Sequence, residues 1–184
     1  MNNKTESLKE KLRQALSSTA RVISDDLGIN PKKNIKNSEK QDVIELENLN
    51  SKNDFIKARA ETDSKALKKK FSNESIFKKN LPSSSSCKSL YTITEKIRYE
   101  KLGSRMLKGI DKNLRDNYTQ LINYKRKDQI KSKDDVPVAE AFELYMLKNF
   151  HNIKLNSLTS KMLNFWEKDF DKSIFEHIEF FKQN

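Results

Sequence analysis

Sulfur, imidazole and glycine are scarce in this chain. Of its 184 residues one is cysteine, two are histidine, three are glycine and three are proline. The lone thiol, Cys87, excludes an intrachain disulfide and fits a reducing compartment. His151 and His177 are too isolated to form a metal-ligand pair, since a zinc site needs about four N or S ligands, or three and a water. A nucleophilic pairing of Cys87 with histidine has no rigid framework to place it, because Cys87 sits in a run of serines. Gly103 and Gly109 frame GSRMLKG, which looks like a phosphate loop. Five residues separate those glycines, however, and Ile-Asp follows where Lys-Ser/Thr is required. A glycine-rich dinucleotide fingerprint, a His-Glu-x-x-His pair and an Asp-x-Ser-x-Ser motif are all absent. No apolar run approaches the roughly 18 residues of a membrane span, and MNNKTESLKEKL at the start lacks the apolar core of a signal peptide. The expectation is a cytoplasmic, membrane-free chain without autonomous catalytic activity, with no bound cofactor and no metal site.

What the chain has in quantity is lysine. The formal charge is +11, and clustered cations gain affinity for nucleic acid by releasing counterions. The charge is spread, however: 18 basic and 12 acidic groups fall in residues 1–80, against 19 and 14 in residues 81–184. Lys68, Lys69 and Lys70 form one cluster, and Lys125, Arg126, Lys127, Lys131 and Lys133 another. Neither is interleaved with the aromatics of a single-strand platform. A solvated basic surface is the simpler reading. A small basic helical protein binding nucleic acid or another polyanion is the alternative. Leu, Ile, Val and Phe make up 46 residues, a share above the roughly 20 per cent below which disorder becomes the expectation.

Helical spacing dominates. From about Thr5 to Leu27 the residues Leu8, Leu12, Ala15, Leu16, Thr19, Val22 and Ile23 share one face. Residues 29–41 read as a loop, and DVIELE at 42–47 partly alternates, so a small β-hairpin near residues 30–47 is allowed. A second helix starts at Asp54 as N-cap and runs through Ala58, Ala66 and Leu67 toward Phe71. NLPSSSSCKS then marks a connector. A long helix from Thr92 to Lys127, capped by Thr92 or Thr94, carries Leu102, Met106, Ile110, Leu114 and Tyr118 at four-residue intervals. Two glycines inside one helix need a reason, either close backbone approach or a break; close packing is the reading adopted for both. Pro137 opens another helix, which buries Ala141, Phe142, Tyr145, Met146 and Phe150. A last stretch from Ser157 carries Leu158, Met162, Phe165, Trp166, Phe170, Ile174, Ile178 and Phe181. Charged residues of the third helix read as ion pairs, Lys96 with Glu100 and Glu95 with Arg98, and Arg59 with Asp63 reads likewise.

The expected fold is thus mainly α and bundle-like. It divides into an N-terminal helical region at 1–80, a serine-rich connector at 81–91 and a C-terminal helical region at 92–184.

The third helix also carries a family pattern. Glu95-x-x-Arg98-x-Glu100-x-x-Gly103, followed by Gly109-x-x-x-Asn113-Leu114, resembles the N-terminal region of the T subunit of aerobic cobaltochelatase, the CobT family. LRQALSSTARVIS at 12–24 looks like the opening helix of that region. Arg59, Asp63, Ser64, Ala66 and Leu67 are similar to its Arg-Gly-x-x-Asp-Ser-x-Ala-Leu block, with Ala60 in place of glycine. Residues 136–141, VPVAEA, resemble the Ala-Pro-Leu segment before its next helix, and Phe165-Trp166 the Leu-Trp that ends it. The family's Gly-x-x-Pro-Pro segment is replaced here by HNIKLNS. Complete T subunits continue into an acidic linker and a von Willebrand type A domain, so the expectation is a fragment, a truncated product or a shortened relative. The resemblance implies a noncatalytic subunit that couples an AAA+ ATPase and a large chelatase subunit during cobalt insertion into hydrogenobyrinic acid a,c-diamide. ATP and cobalt would be handled by the complex, and self-association is compatible with it. No catalytic or metal residue carries over.

Overall fold

The computed structural model describes residues 2–24, 51–124 and 130–172, with side chains from residue 8 onward. The chain is mainly helical, and no strand occurs among the described residues. The hairpin expected near residues 30–47 lies outside them. α1 (Asn2–Ile23) packs on α2 (Lys52–Phe71), and α2 in turn meets both α4 (Ser85–Met106) and α5 (Lys108–Tyr124). The short α3 (Glu74–Lys79) bridges α2 to α4. α4 packs on α5 and on α6 (Val138–Phe150), and α6 packs on α7 (Ser157–Asn164). The chain is helical again over 167–172. No helix among the described residues is long and apolar enough to cross a membrane.

Each boundary has a local cause. Ser51 caps α2 and forms a capping box with Asp54, whose carboxylate accepts from the Ser51 backbone N–H at 2.8 Å. Asp54 is therefore the third residue of the helix and not its cap. α4 begins within the serine run, at Ser85, so Thr92 and Thr94 are interior positions instead of caps. Their hydroxyls donate to the carbonyls four residues back, Lys88 at 2.8 Å and Leu90 at 2.9 Å, which is how threonine is accommodated inside a helix. Pro137 precedes the first turn of α6 with φ −54°, as its ring requires. Asn152 ends that helix with φ 53°. Asparagine tolerates this left-handed geometry, so the segment HNIKLNS turns without the family's glycine and prolines.

α6 is the innermost helix. Ala141, Phe142, Tyr145, Met146 and Phe150 are buried as the spacing requires, and Leu144 and Leu147 are buried as well. Apolar side chains surround it, which is the pattern of a helix enclosed by neighbours. The final stretch is not one continuous helix, because Phe165 and Trp166 form a turn after α7. Phe170 beyond the turn packs edge-on to Phe142, 5.4 Å between ring centres. Ile174, Ile178, Phe180 and Phe181 lie outside the described residues. In α1 only part of the expected face is covered: Leu16 and Ile23 are buried, whereas Leu8 and Val22 are each 61 % exposed.

The two glycines part company. The expected helix of 92–127 breaks at Leu107, which is extended at φ −135° and ψ 111°. Its N–H still reaches the Gly103 carbonyl at 3.0 Å, and its own carbonyl accepts from Ile110 at 3.0 Å to start α5. Met106 and Leu107 consequently face solvent, while Ile110, Leu114, Tyr118 and Ile122 continue the buried stripe. A Cβ on Gly103 would lie 2.8 Å from Leu67 Cγ and closer still to both its δ carbons, so glycine there lets α4 approach α2. A Cβ on Gly109 would meet nothing within 4 Å. The close-packing reading is corrected for Gly109: it stands in the first turn after a break, not at a tight contact.

Gly103→Ala is expected to lose up to about 2.5 kcal/mol, because overpacking at the buried Leu67 costs about 1–3 kcal/mol and the helix gains only about 0.5–1. Gly109→Ala should melt at or above the parent temperature. Paired thermal melts check both, and a Gly103→Ala variant that melts no lower than Gly109→Ala would show that the approach to Leu67 does not matter.

Candidate functional site

The residues of the family pattern converge on the places where α2, α4 and α5 meet. Three polar ties cross that interface. Asp63 on α2 is buried, and its Oδ2 accepts from Asn113 Nδ2 on α5 at 2.7 Å. Burial pushes the Asp63 carboxyl above its ordinary range, while the Asn113 hydrogen bond and the charge of Arg59 oppose that shift. At the C-terminal end of α2, Arg98 Nη2 donates to the Phe71 carbonyl at 2.7 Å and Ser72 Oγ donates to Glu95 Oε1 at 2.6 Å. Glu95 and Arg98 pair at 2.7 Å, and the Arg98 hydrogen bond holds Glu95 below its usual range. This i,i+3 pair therefore does more than decorate one helix, since its Arg98 closes the orphan Phe71 carbonyl of another.

The middle tie is the most enclosed. Glu100 on α4 is 1 % exposed. Its Oε1 accepts from Ser64 Oγ on α2 at 2.6 Å, and its Oε2 accepts from the Tyr118 hydroxyl on α5 at 2.5 Å. His151, at the end of α6, places Nε2 3.8 Å from the same Oε2, and neither of its ring nitrogens has a hydrogen-bond partner. The Tyr118 ring lies 5.5 Å from the imidazole and carries the Lys96 ammonium on its face at 5.2 Å. The expected Lys96–Glu100 surface pair is thus corrected: Glu100 points into the interior, and Lys96 reaches it only as a nearby charge. Lys101 adds a fourth link, donating to the Phe150 carbonyl at the end of α6 at 2.6 Å.

Burial dominates the electrostatics. Desolvation raises the Glu100 and Tyr118 pKa values and lowers that of His151 to about 4. Glu100 and His151 are close, but with its pKa lowered to about 4 the imidazole is uncharged near neutrality and forms no ion pair with the carboxyl group. The arrangement can hold helices in register. Among the described residues no three of His, Cys, Asp and Glu come together to hold a metal.

Trp166 lies apart from these ties. Its indole N–H donates to the Val136 carbonyl at 3.1 Å, its ring stacks on Phe170, and Lys133 sits 4.0 Å over it. Gly109 takes part in none of them. Cys87 is exposed in the first turn of α4, and His177 lies outside the described residues. Sequence reasoning missed Tyr118 as a polar participant, because its place in the four-residue stripe marked it only as apolar. It also left His151 and Ser72 without partners, since contacts between helices have no local signature.

The two buried groups make opposite pH signatures. His151 would titrate near 6.5 when unfolded, so its contribution is complete above that pH and is lost as pH falls toward about 4. The loss amounts to about 3 kcal/mol at about 1.4 kcal/mol per unit. Glu100, with a raised pKa, costs nothing below its ordinary 4.5 and destabilises as pH rises above it. Denaturant titrations should show that His151→Leu flattens the loss between pH 6.5 and 4. Glu100→Gln should match the parent near pH 4 and exceed it at pH 8. Glu100→Ala should lose about 1–3 kcal/mol throughout, because the Ser64 and Tyr118 hydroxyls lose their acceptor.

Neither a curated protein nor a solved structure matches this chain. The family described as cobalamin biosynthesis protein CobT matches residues 6–183, from the first helix to the last residues of the sequence. That span contains all the ties described above and all but the first four residues of the described helices, and the chain belongs to the CobT family of cobalamin biosynthesis proteins.

Proposed function

We propose that this chain is a noncatalytic coupling subunit, or the corresponding portion of one, in an ATP-dependent cobaltochelatase. In this reading an AAA+ subunit hydrolyses ATP and a large subunit holds the tetrapyrrole, hydrogenobyrinic acid a,c-diamide. The helical body described here transmits between them in the cytoplasm, and cobalt and ATP are handled by the partners. One observation supports the reading most. The charged and polar residues of the family pattern, Asp63, Glu95, Arg98, Glu100 and Asn113, are spent on ties between helices. A body built this way can carry a mechanical or docking role, whereas a catalyst needs reactive groups converging on an accessible reacting atom.

The basic residues give less support to the polyanion reading. Lys68, Lys69 and Lys70 occupy the last turn of α2, where the helix dipole favours cations.

Coexpression with the AAA+ and large chelatase subunits of the same genome tests the proposal. The chain should copurify with both and be required for ATP-dependent cobalt insertion. Retention of neither partner, with insertion proceeding in its absence, would overturn it.

A further inference from the structure

Buried polar atoms without partners gather at one boundary. Among the described residues they are Ser104 Oγ and both ring nitrogens of His151. Glu100, Ser104 and Lys101 lie at about 0°, 40° and 100° around the axis of α4. Ser104 thus falls between the two residues that meet the end of α6, Glu100 beside His151 and Lys101 on the Phe150 carbonyl. Folded proteins pair nearly all such groups, so unmade bonds collected in one place point to a second arrangement in which some are made.

The missing bond is nearly in reach. His151 Nε2 stands 3.8 Å from Glu100 Oε2. A hydrogen bond needs about 2.7–3.2 Å, so a displacement of about 1 Å would make it. Oε2 can take a second partner, since a carboxyl oxygen has two lone pairs and Tyr118 meets one. Burial, and then the charges of Lys101, Lys96 and Arg115, keep the imidazole neutral, so the bond forms with an uncharged ring. The fold permits the movement. Among the helices before it, α6 packs chiefly on α4. Residues 152–156, which follow His151, are not helical and can absorb the shift. Lys101 holds the Phe150 carbonyl through a flexible arm, which follows a displacement of that size. We infer that the α4–α6 boundary is a two-position shear interface, in which α6 slides by about 1 Å to bring His151 Nε2 onto Glu100 Oε2. In the position described here Tyr118 of α5 holds that oxygen, and in the other α5 and α6 share it. The slide couples α6 and α7 to the buried centre between α2, α4 and α5. This inference concerns the fold and does not rest on the chelatase reading.

The test is nitrogen-15 relaxation dispersion on the uniformly labelled full chain near neutral pH, which reads exchange on the μs–ms scale. Exchange should appear at residues 97–104 and 149–156 and in the His151 imidazole, whose signals are readily assigned because His177 is the only other histidine. His151→Leu should abolish the exchange at residues 97–104. Tyr118→Phe leaves Glu100 Oε2 to His151 and should raise the population of the second position at least threefold. If the His151→Leu chain does not fold, Tyr118→Phe decides alone. Absence of exchange in the parent, exchange that survives His151→Leu, or a population unmoved by Tyr118→Phe would each overturn the inference. A single protected imidazole N–H signal without exchange would also overturn it, by assigning an ordered water as the partner of His151.

Discussion

A carboxyl group with almost no access to water sits where α2, α4, α5 and the end of α6 converge. Glu100 can be there only because two hydroxyls meet its oxygens, Ser64 from one helix and Tyr118 from another. Satisfying those partners fixes the register of α4 against α2 and α5 far more narrowly than apolar packing would, because hydrogen bonds tolerate little displacement. The glycine one turn away, Gly103, supplies the other half of the condition. Without a Cβ it lets α4 come close enough to α2, against Leu67, for a short serine side chain to span the gap. Close approach and buried polarity are thus one constraint expressed by two residues three positions apart.

The ends of the same interface are tied by Asp63 with Asn113 and by Glu95, Arg98 and Ser72 with the last turn of α2. This accounts for a chain whose apolar share is lean yet whose middle is well enclosed. It also shows how the patterned polar residues are used, as ties between helices. Membership of the CobT family places the protein in cobalamin biosynthesis, and the internal use of the patterned residues suits a member that positions other components.

Much of the helical plan was legible because it is written in local spacing. α6 follows from the recurrence of Ala141, Phe142, Tyr145, Met146 and Phe150 after a proline, and α2 from its apolar positions, although Asp54, expected as its cap, is its third residue. What failed was decided elsewhere. Thr92 and Thr94 have the right chemistry for caps, but their hydroxyls are equally content with the carbonyls of a preceding turn, so the helix starts seven residues before Thr92. Gly103 and Gly109 look alike in sequence, and only the neighbour on α2 separates a close approach from the start of a new helix. Glu100 shares its spacing with a surface ion pair, and its burial depends on Ser64 and Tyr118, which are remote in the chain. Leu8 and Val22 obey the same periodicity as Leu16 and Ile23, and periodicity cannot say how much of a wide face finds cover.

The separations along these ties bear on the order in which the protein is made. Ser64 must wait 36 residues for Glu100, Asp63 must wait 50 for Asn113, and Lys101 must wait 49 for the Phe150 carbonyl. During synthesis α2 therefore leaves the ribosome with an aspartate and a serine whose partners do not yet exist. It has no reason to exclude water from them until α5 has emerged. Local helix formation is fast, but the step that seals the interior closes long loops, and loop closure sets the pace. Folding of this small helical chain is thus expected to be late and collective, with its N-terminal third committed only after most of the remainder has been translated.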